Sequence, residues 1–197
     1  MNPWLIVCAS PRAGGNSDDA SVLLDIALRQ GGALVERVDV RDYSIAPCVA
    51  CNLCRSAPGS CSLDEPYTGR KDHADELLTR MREAAGLVFV TPVYFYSLPA
   101  LFKALIDRSQ RYWWSNKEEP VAGAKPAYAL LIGARTSGER LFDGSLLTLR
   151  HFSPMIGYQL MGNLPLRGLE QPGSLTAVPE MVDRIGEWAS ECLQASG

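Results

Sequence analysis

Four of the six cysteines in this 197-residue chain fall in one short stretch, PCVACNLCRSAPGSC, from Pro47 to Cys61. They are Cys48, Cys51, Cys54 and Cys61, with gaps of two, two and six residues. Three thiolates at every third position can wrap one face of an iron–sulfur cubane, and the returning chain can supply a fourth. A bacterial ferredoxin run has a shorter last gap and a following proline; here Ser62 and Leu63 follow. Tetrahedral zinc usually draws two ligand pairs from separated turns, and three cysteines in seven residues are cramped around one small ion. By spacing alone, the stretch leaves cluster, zinc, disulfide and free thiols open.

Two further stretches carry donor groups. SPRAGGNSD, Ser10 to Asp18, follows an apolar run and leads into a helical pattern. A glycine-containing loop opening a helix offers backbone N–H groups and a favourable dipole to an anion. Ser10, Asn16 and Ser17 add side-chain donors, and Arg12 adds charge. The stretch matches neither the dinucleotide fingerprint nor the P-loop, and Asp18 and Asp19 would repel a phosphate unless they point away. TPVYFYSLPALFKALIDR, Thr91 to Arg108, starts with a proline that breaks a strand and turns the chain outward. Val93, Tyr94, Phe95 and Tyr96 then form an apolar, aromatic wall suited to a planar heterocycle. No Ser–His–Asp or H-E-x-x-H arrangement is present. His73 reads as a first-turn residue and His151 as structural, while Cys8 and Cys192 read as buried small hydrophobes. RYWWSNKEEP, Arg111 to Pro120, puts three aromatics at a helix end, suited to a pocket wall, an interface or burial.

The elements that must position these groups alternate along the chain. Apolar runs predict strands at Trp4–Ala9, Ala33–Val40, Leu87–Thr91, Tyr128–Ala134 and Tyr158–Leu166. Helical periodicity predicts Asp18–Gln30, capped by Asn16 or Ser17 and with Val22, Leu23, Ile26 and Ala27 on one face. It also predicts Asp72–Ala85, with Leu77, Leu78, Met81 and Ala85 inward. A third helix runs from a Ser97 cap to about Arg111, a fourth over Phe142–Met155, and a last one from Pro179, with Val182, Ile185, Trp188 and Cys192 on one stripe. Near-continuous apolar strands imply a parallel sheet buried between helix layers. The expectation is a flavodoxin-like, doubly wound α/β fold with strand order 2-1-3-4-5, its ligand at the carboxyl ends of strands 1 and 3. The whole chain, 1–197, reads as one domain with the cysteine-rich loop 47–61 inserted after strand 2.

Bulk composition narrows the partners. Nineteen Lys and Arg against 22 Asp and Glu give a net charge of −3, which argues against nucleic acid or an anionic membrane as the main partner. MNPWLIVCAS lacks a basic region and a cleavage site, so it reads as a first strand rather than a signal peptide. No apolar stretch approaches the ~20 residues of a membrane span. The expected location is the cytoplasm, where clustered cysteines favour metal or redox chemistry over a structural disulfide.

Together, SPR-x-x-G-N-S and TPVYFYSLPALFKALIDR closely resemble the phosphate loop and the isoalloxazine loop of the NAD(P)H-dependent FMN reductase family, a group of flavodoxin-like proteins. The resemblance covers roughly Pro3 to Gly168. It implies that Ser10, Arg12, Asn16 and Ser17 hold the FMN phosphate and that Pro92, Val93, Tyr94 and Phe95 flank the flavin ring. GARTSGERLFDG matches more loosely and makes Ala134, Arg135 and Thr136 flavin neighbours. The cysteine loop looks like the compact motif of the iron–sulfur flavoprotein branch. That likeness implies that Cys48, Cys51, Cys54 and Cys61 ligate one [4Fe–4S] cluster near the FMN of a partner subunit, in a homodimer or tetramer. The reductase resemblance makes NAD(P)H a candidate reductant, but the sequence carries no separate nicotinamide motif, so the reductant stays open, as does the small-molecule or protein electron donor or acceptor. The flavin carries the redox chemistry, so no catalytic side chain is assigned. The alternatives are a cluster-free NAD(P)H-dependent flavin or quinone reductase, a flavodoxin-like electron carrier, and a zinc-stabilised binding module.

Overall fold

The structure is a computed structural model and describes residues 2–69, 71–118 and 124–196. Five parallel strands make one sheet: β1 (Trp4–Cys8), β2 (Val35–Asp39), β3 (Gly86–Pro92), β4 (Lys125–Gly133) and β5 (Tyr158–Arg167). Their order is β2-β1-β3-β4-β5, as expected from the sequence. Side chains alternate across each strand, so the strands build two cores. Trp4, Ile6, Val88, Val90, Leu130 and Ile132 face one side. There they meet α1 (Asn16–Gln30) and α8 (Pro179–Gln194). Leu5, Val7, Leu87, Phe89, Ala129 and Leu131 face the other side. There the cover is α4 (Ala74–Glu83), α5 (Ala100–Arg108), α6 (Gln110–Glu118) and α7 (Asp143–Met155). Two single-turn helices, α2 (Leu53–Ser56) and α3 (Glu65–Thr68), lie between β2 and α4.

Several local expectations are corrected. Helix α1 starts at Asn16 with Gly15 as its N-cap, so neither Asn16 nor Ser17 caps it. Its buried positions are Asn16, Ser17, Ala20, Ser21, Leu24 and Leu28; of the expected face, Leu23 and Ala27 pack half-buried against the core, while Val22 and Ile26 are each 47% exposed. Small residues let this helix approach the sheet closely, which moves the inward face off the bulkiest apolar residues. Ala84 rather than Ala85 turns inward after α4. The helix expected to run to Arg111 breaks at Ser109, whose hydroxyl donates to the Ile106 carbonyl at 2.6 Å. Its cap is Pro99, not Ser97. Glu119 and Pro120, the end of the aromatic stretch, lie outside the described residues. Among the described residues, no helix is long and apolar enough to cross a membrane.

The strand order reverses between β1 and β3. The loops leaving their carboxyl ends therefore diverge, and a cleft opens between them.

Candidate functional site

The loop between β1 and α1 is fixed by charge. Asp18 accepts the Gly14 N–H at 2.6 Å and pairs with Arg41 at 2.9 Å and Arg37 at 3.2 Å. Arg41 also donates to the Ser10 and Arg12 carbonyls, each at 3.4 Å. Partial burial opposes ionisation of Asp18, but the Gly14 N–H and Arg41 outweigh it and hold its carboxyl below the ordinary range. Asp18 thus turns towards β2, which removes the repulsion that its position in the sequence suggests. Gly14, at φ +67°, takes the left-handed turn that glycine tolerates best.

The N-terminus of α1 is open. Gly15 has no side chain to cap it, and no side-chain cap bond is made. The buried hydroxyls of Ser10 and Ser17 lie beside it, and Arg12 stays exposed with no ion pair among the described residues. Asn16 does something else. Its side chain donates to the Leu169 and Gln171 carbonyls at 3.3 and 2.9 Å and accepts the Leu175 N–H at 3.1 Å, so it ties the segment after β5 to the site.

Ser10, Arg12, Asn16 and Ser17 line one cleft of about 260 Å³. Pro92, Val93, Tyr94 and Ala134 line it from the far side. Eight of the eleven expected cofactor residues are therefore brought together. Phe95, Arg135 and Thr136 do not line it: Phe95 is fully exposed, Arg135 donates to the Tyr96 hydroxyl at 2.9 Å, and Thr136 packs near Gly168. The sequence reading missed Leu169, Glu170 and Pro172, which complete the wall. They carry no motif, but the loop after β5 leaves the same edge of the sheet, and that topology was the available signal.

The turn after β3 is strained. Tyr94 and Ser97 exchange two backbone hydrogen bonds, each 2.9 Å, around a two-residue loop. Phe95 and Tyr96 in that loop have φ of +49° and +60°, the type I′ pattern that normally selects Asn and Gly. Such outliers cost on the order of 1–3 kcal/mol each and cluster at functional sites. Gly144 braces the turn, since a Cβ there would run into the Tyr96 carbonyl oxygen.

The cysteine loop lies at the same carboxyl edge, beyond β2. All four of its thiols are free, with Cys48 and Cys51 exposed and Cys54 and Cys61 half-buried. Cys51 sits between Ala50 at φ +52° and Asn52 at φ +63°, two more left-handed residues. Hydrogen bonding to Ser62, then to the Leu53 N–H, holds the Cys51 thiol below its ordinary value. Burial pushes Cys54 up, and the charges of Cys51, Cys61 and Cys48 push the same way. A cation beside Cys54 would offset both effects. Sulfurs around one zinc lie about 3.8 Å apart. The four do not form a group with ligand atoms all within 4.8 Å; among the described residues Cys8, Asp18 and Asp39 do. Those two carboxylates are taken by Arg37 and Arg41. Cys8 and Cys192 are buried as expected, and burial pushes their thiols up to about 11 and about 12. His73 accepts the Ser44 N–H at 2.9 Å and stacks edge-on with Tyr43, while His151 is exposed.

The chain matches the NADPH-dependent FMN reductase family over residues 3–159 and belongs to it. It is 33% identical over 104 residues to an iron–sulfur flavoprotein of Methanocaldococcus jannaschii, covering 53% of this chain and 50% of that one. The chain spans about half the length of the first iron–sulfur flavoproteins it matches. It is also 29% identical over 162 residues to an FMN-dependent NADH:quinone oxidoreductase of Alkalilimnicola ehrlichii, covering 77% of each. An azoreductase structure from Bacillus anthracis has a similar fold, with a TM-score of 0.69 at 16% identity over 97% of this chain and 98% of that one. The likeness to the iron–sulfur flavoprotein branch, drawn from the cysteine spacing, agrees with these relatives.

Proposed function

We propose that this chain is an FMN-dependent oxidoreductase, reduced by a nicotinamide or comparable donor, whose cysteine loop holds a [4Fe–4S] cluster. The observation that carries the flavin reading is the cleft, which places an uncapped helix N-terminus opposite a strained aromatic turn. The Asn16 and Ser17 N–H groups that open α1, the Ser17 hydroxyl and Arg12 suit the phosphate, and the Ser10 hydroxyl would join them by giving up its bond to the Arg12 carbonyl. The Asn16 side chain acts at one remove by holding Leu169 and its neighbours against the site. Val93 and Tyr94 give the ring an apolar wall. At about 260 Å³ the cleft falls short of the ~300 Å³ at which ordinary ligand sites begin. A bound ring would reach past the cleft, and the exposed Phe95, next to the lining residue Tyr94, would be available to cover it. Bound FMN supplies two-electron uptake with one-electron release.

For the cluster, the support is the donor set. Four free thiols lie in one loop, with Cys54 near enough to the other three for their charge to oppose its ionisation, and they are more widely spread than ligands of a single zinc ion. A homodimer, with the cluster of one copy near the flavin of the other, belongs to the same reading. Protein purified without oxygen should show flavin bands over a broad iron–sulfur absorption, with about four iron and four sulfide per chain. Flavin bands without iron or sulfide would leave the cluster-free reductase, which the longer alignment with the quinone oxidoreductase favours.

A further inference from the structure

Arg108 and Arg111 are among the most deeply buried side chains, at 1% and 2% exposure. One Arg108 nitrogen donates to the Ala46 carbonyl at 3.1 Å and to Asp72 at 3.0 Å, and the other donates to Asp64 at 3.0 Å. Arg111 donates to both oxygens of Asp64, at 2.7 and 2.9 Å, and to Asp75 at 2.7 Å. Asp72 also accepts the Ala46 N–H at 2.7 Å. Ala46 precedes Cys48 and Asp64 follows Cys61, so both ends of the cysteine loop meet at one pair of guanidiniums.

Deep apolar anchoring is missing there, although Arg55 lies over the Trp114 ring of α6, 5.6 Å from its centroid. Among the described residues, none from Ala46 to His73 is buried. A segment of this length without a core contribution must offset its ordering entropy some other way. Guanidinium–carboxylate pairs provide directional bonds, and burial makes separating them costly. We infer that Arg108 and Arg111 are positioning residues that tie the two ends of the cysteine loop together without a metal, so that its four thiols are kept in one short closed loop before any metal arrives. The inference rests on reading the loop as a cluster site, but the clamp itself can be measured without one.

The test uses full-length protein, reduced and stripped with a chelator. Trypsin can cut this loop after the exposed Arg55. Asp64→Asn and Arg111→Lys weaken the clamp, since lysine cannot reproduce the fork of donors. Asp75→Asn, at a more exposed partner of Arg111 outside the loop, is the control. Cutting after Arg55 should rise about tenfold or more in the two clamp variants and stay at the wild-type rate in the control. Both variants should also lower global melting, because each weakens the pairing of a buried guanidinium. Cutting is therefore measured well below their melting temperatures, where FMN binding should stay close to wild type. Cutting at the wild-type rate in both variants under those conditions overturns the clamp. A wild type that takes up no iron or sulfide on anaerobic reconstitution overturns the cluster reading, and the cutting ratio still decides the clamp.

Discussion

Replacing Phe95 with glycine separates strain from function. Phe95 is 101% exposed, so its ring contributes no packing within the chain. Its φ of +49° places an L side chain in the left-handed region, at roughly 1–2 kcal/mol. Glycine removes that strain but gives back about 0.5–1 kcal/mol through its freer unfolded state. The net expectation is a gain of about 0.5–1 kcal/mol, or roughly 1–4 °C in melting temperature for a chain of this size. Flavin binding should move the other way. Covering one face of a phenyl ring removes on the order of 60–80 Å² from water, about 1.5–2 kcal/mol. FMN should therefore bind about 10–30-fold more weakly to Phe95→Gly. Melting of flavin-free protein and quenching of flavin fluorescence during titration read the two effects separately. A loss of more than about 1 kcal/mol of stability, or an unchanged FMN affinity, would refute the reasoning.

Asn16→Ala orphans three hydrogen-bonding groups around the segment after β5. It should cost about 3 kcal/mol in denaturant melts and speed hydrogen exchange at the Leu175 amide. Gly144→Ala forces a Cβ against the Tyr96 carbonyl. Overpacking of this kind costs about 1–3 kcal/mol, and FMN affinity should fall with it because the aromatic turn must move. Cys8 and Cys192 have thiols raised in the folded state from 9.0 to about 11 and about 12. Folding keeps them protonated, so their stabilising contribution is complete below pH 9 and is lost as pH rises through about 11 to 12. Melting temperature should fall over that window, and less steeply in Cys192→Ala than in wild type.

The fold was legible because β1, β3 and β4 are almost uninterrupted apolar runs, which only a sheet covered on both faces explains. The phosphate side of the cleft was legible because its donors are contiguous, from Ser10 to Ser17. The inward face of α1 was not. Ala20 and Ser21 carry little hydrophobic signal, yet their small size sets how closely the helix packs, and Val22 and Ile26 are left facing solvent. Arg108 and Arg111 were invisible for the opposite reason: periodicity assigns arginine to the surface, and partners distant in the chain, chiefly Asp64, Asp72 and Asp75, make their burial tolerable. The break at Ser109 and the wall after β5 likewise depend on contacts between residues far apart in the chain, such as Asn16 with Leu175.

The central claim is that the cleft binds FMN by its phosphate at the N-terminus of α1. Titration of flavin-free protein with FMN and with riboflavin, which lacks only the phosphate, tests it most directly. Charge-assisted hydrogen bonds to the phosphate together amount to about 3 kcal/mol or more. One FMN should bind per chain, about a hundredfold or more tighter than riboflavin. Equal affinity for the two, or binding of neither, would contradict the account.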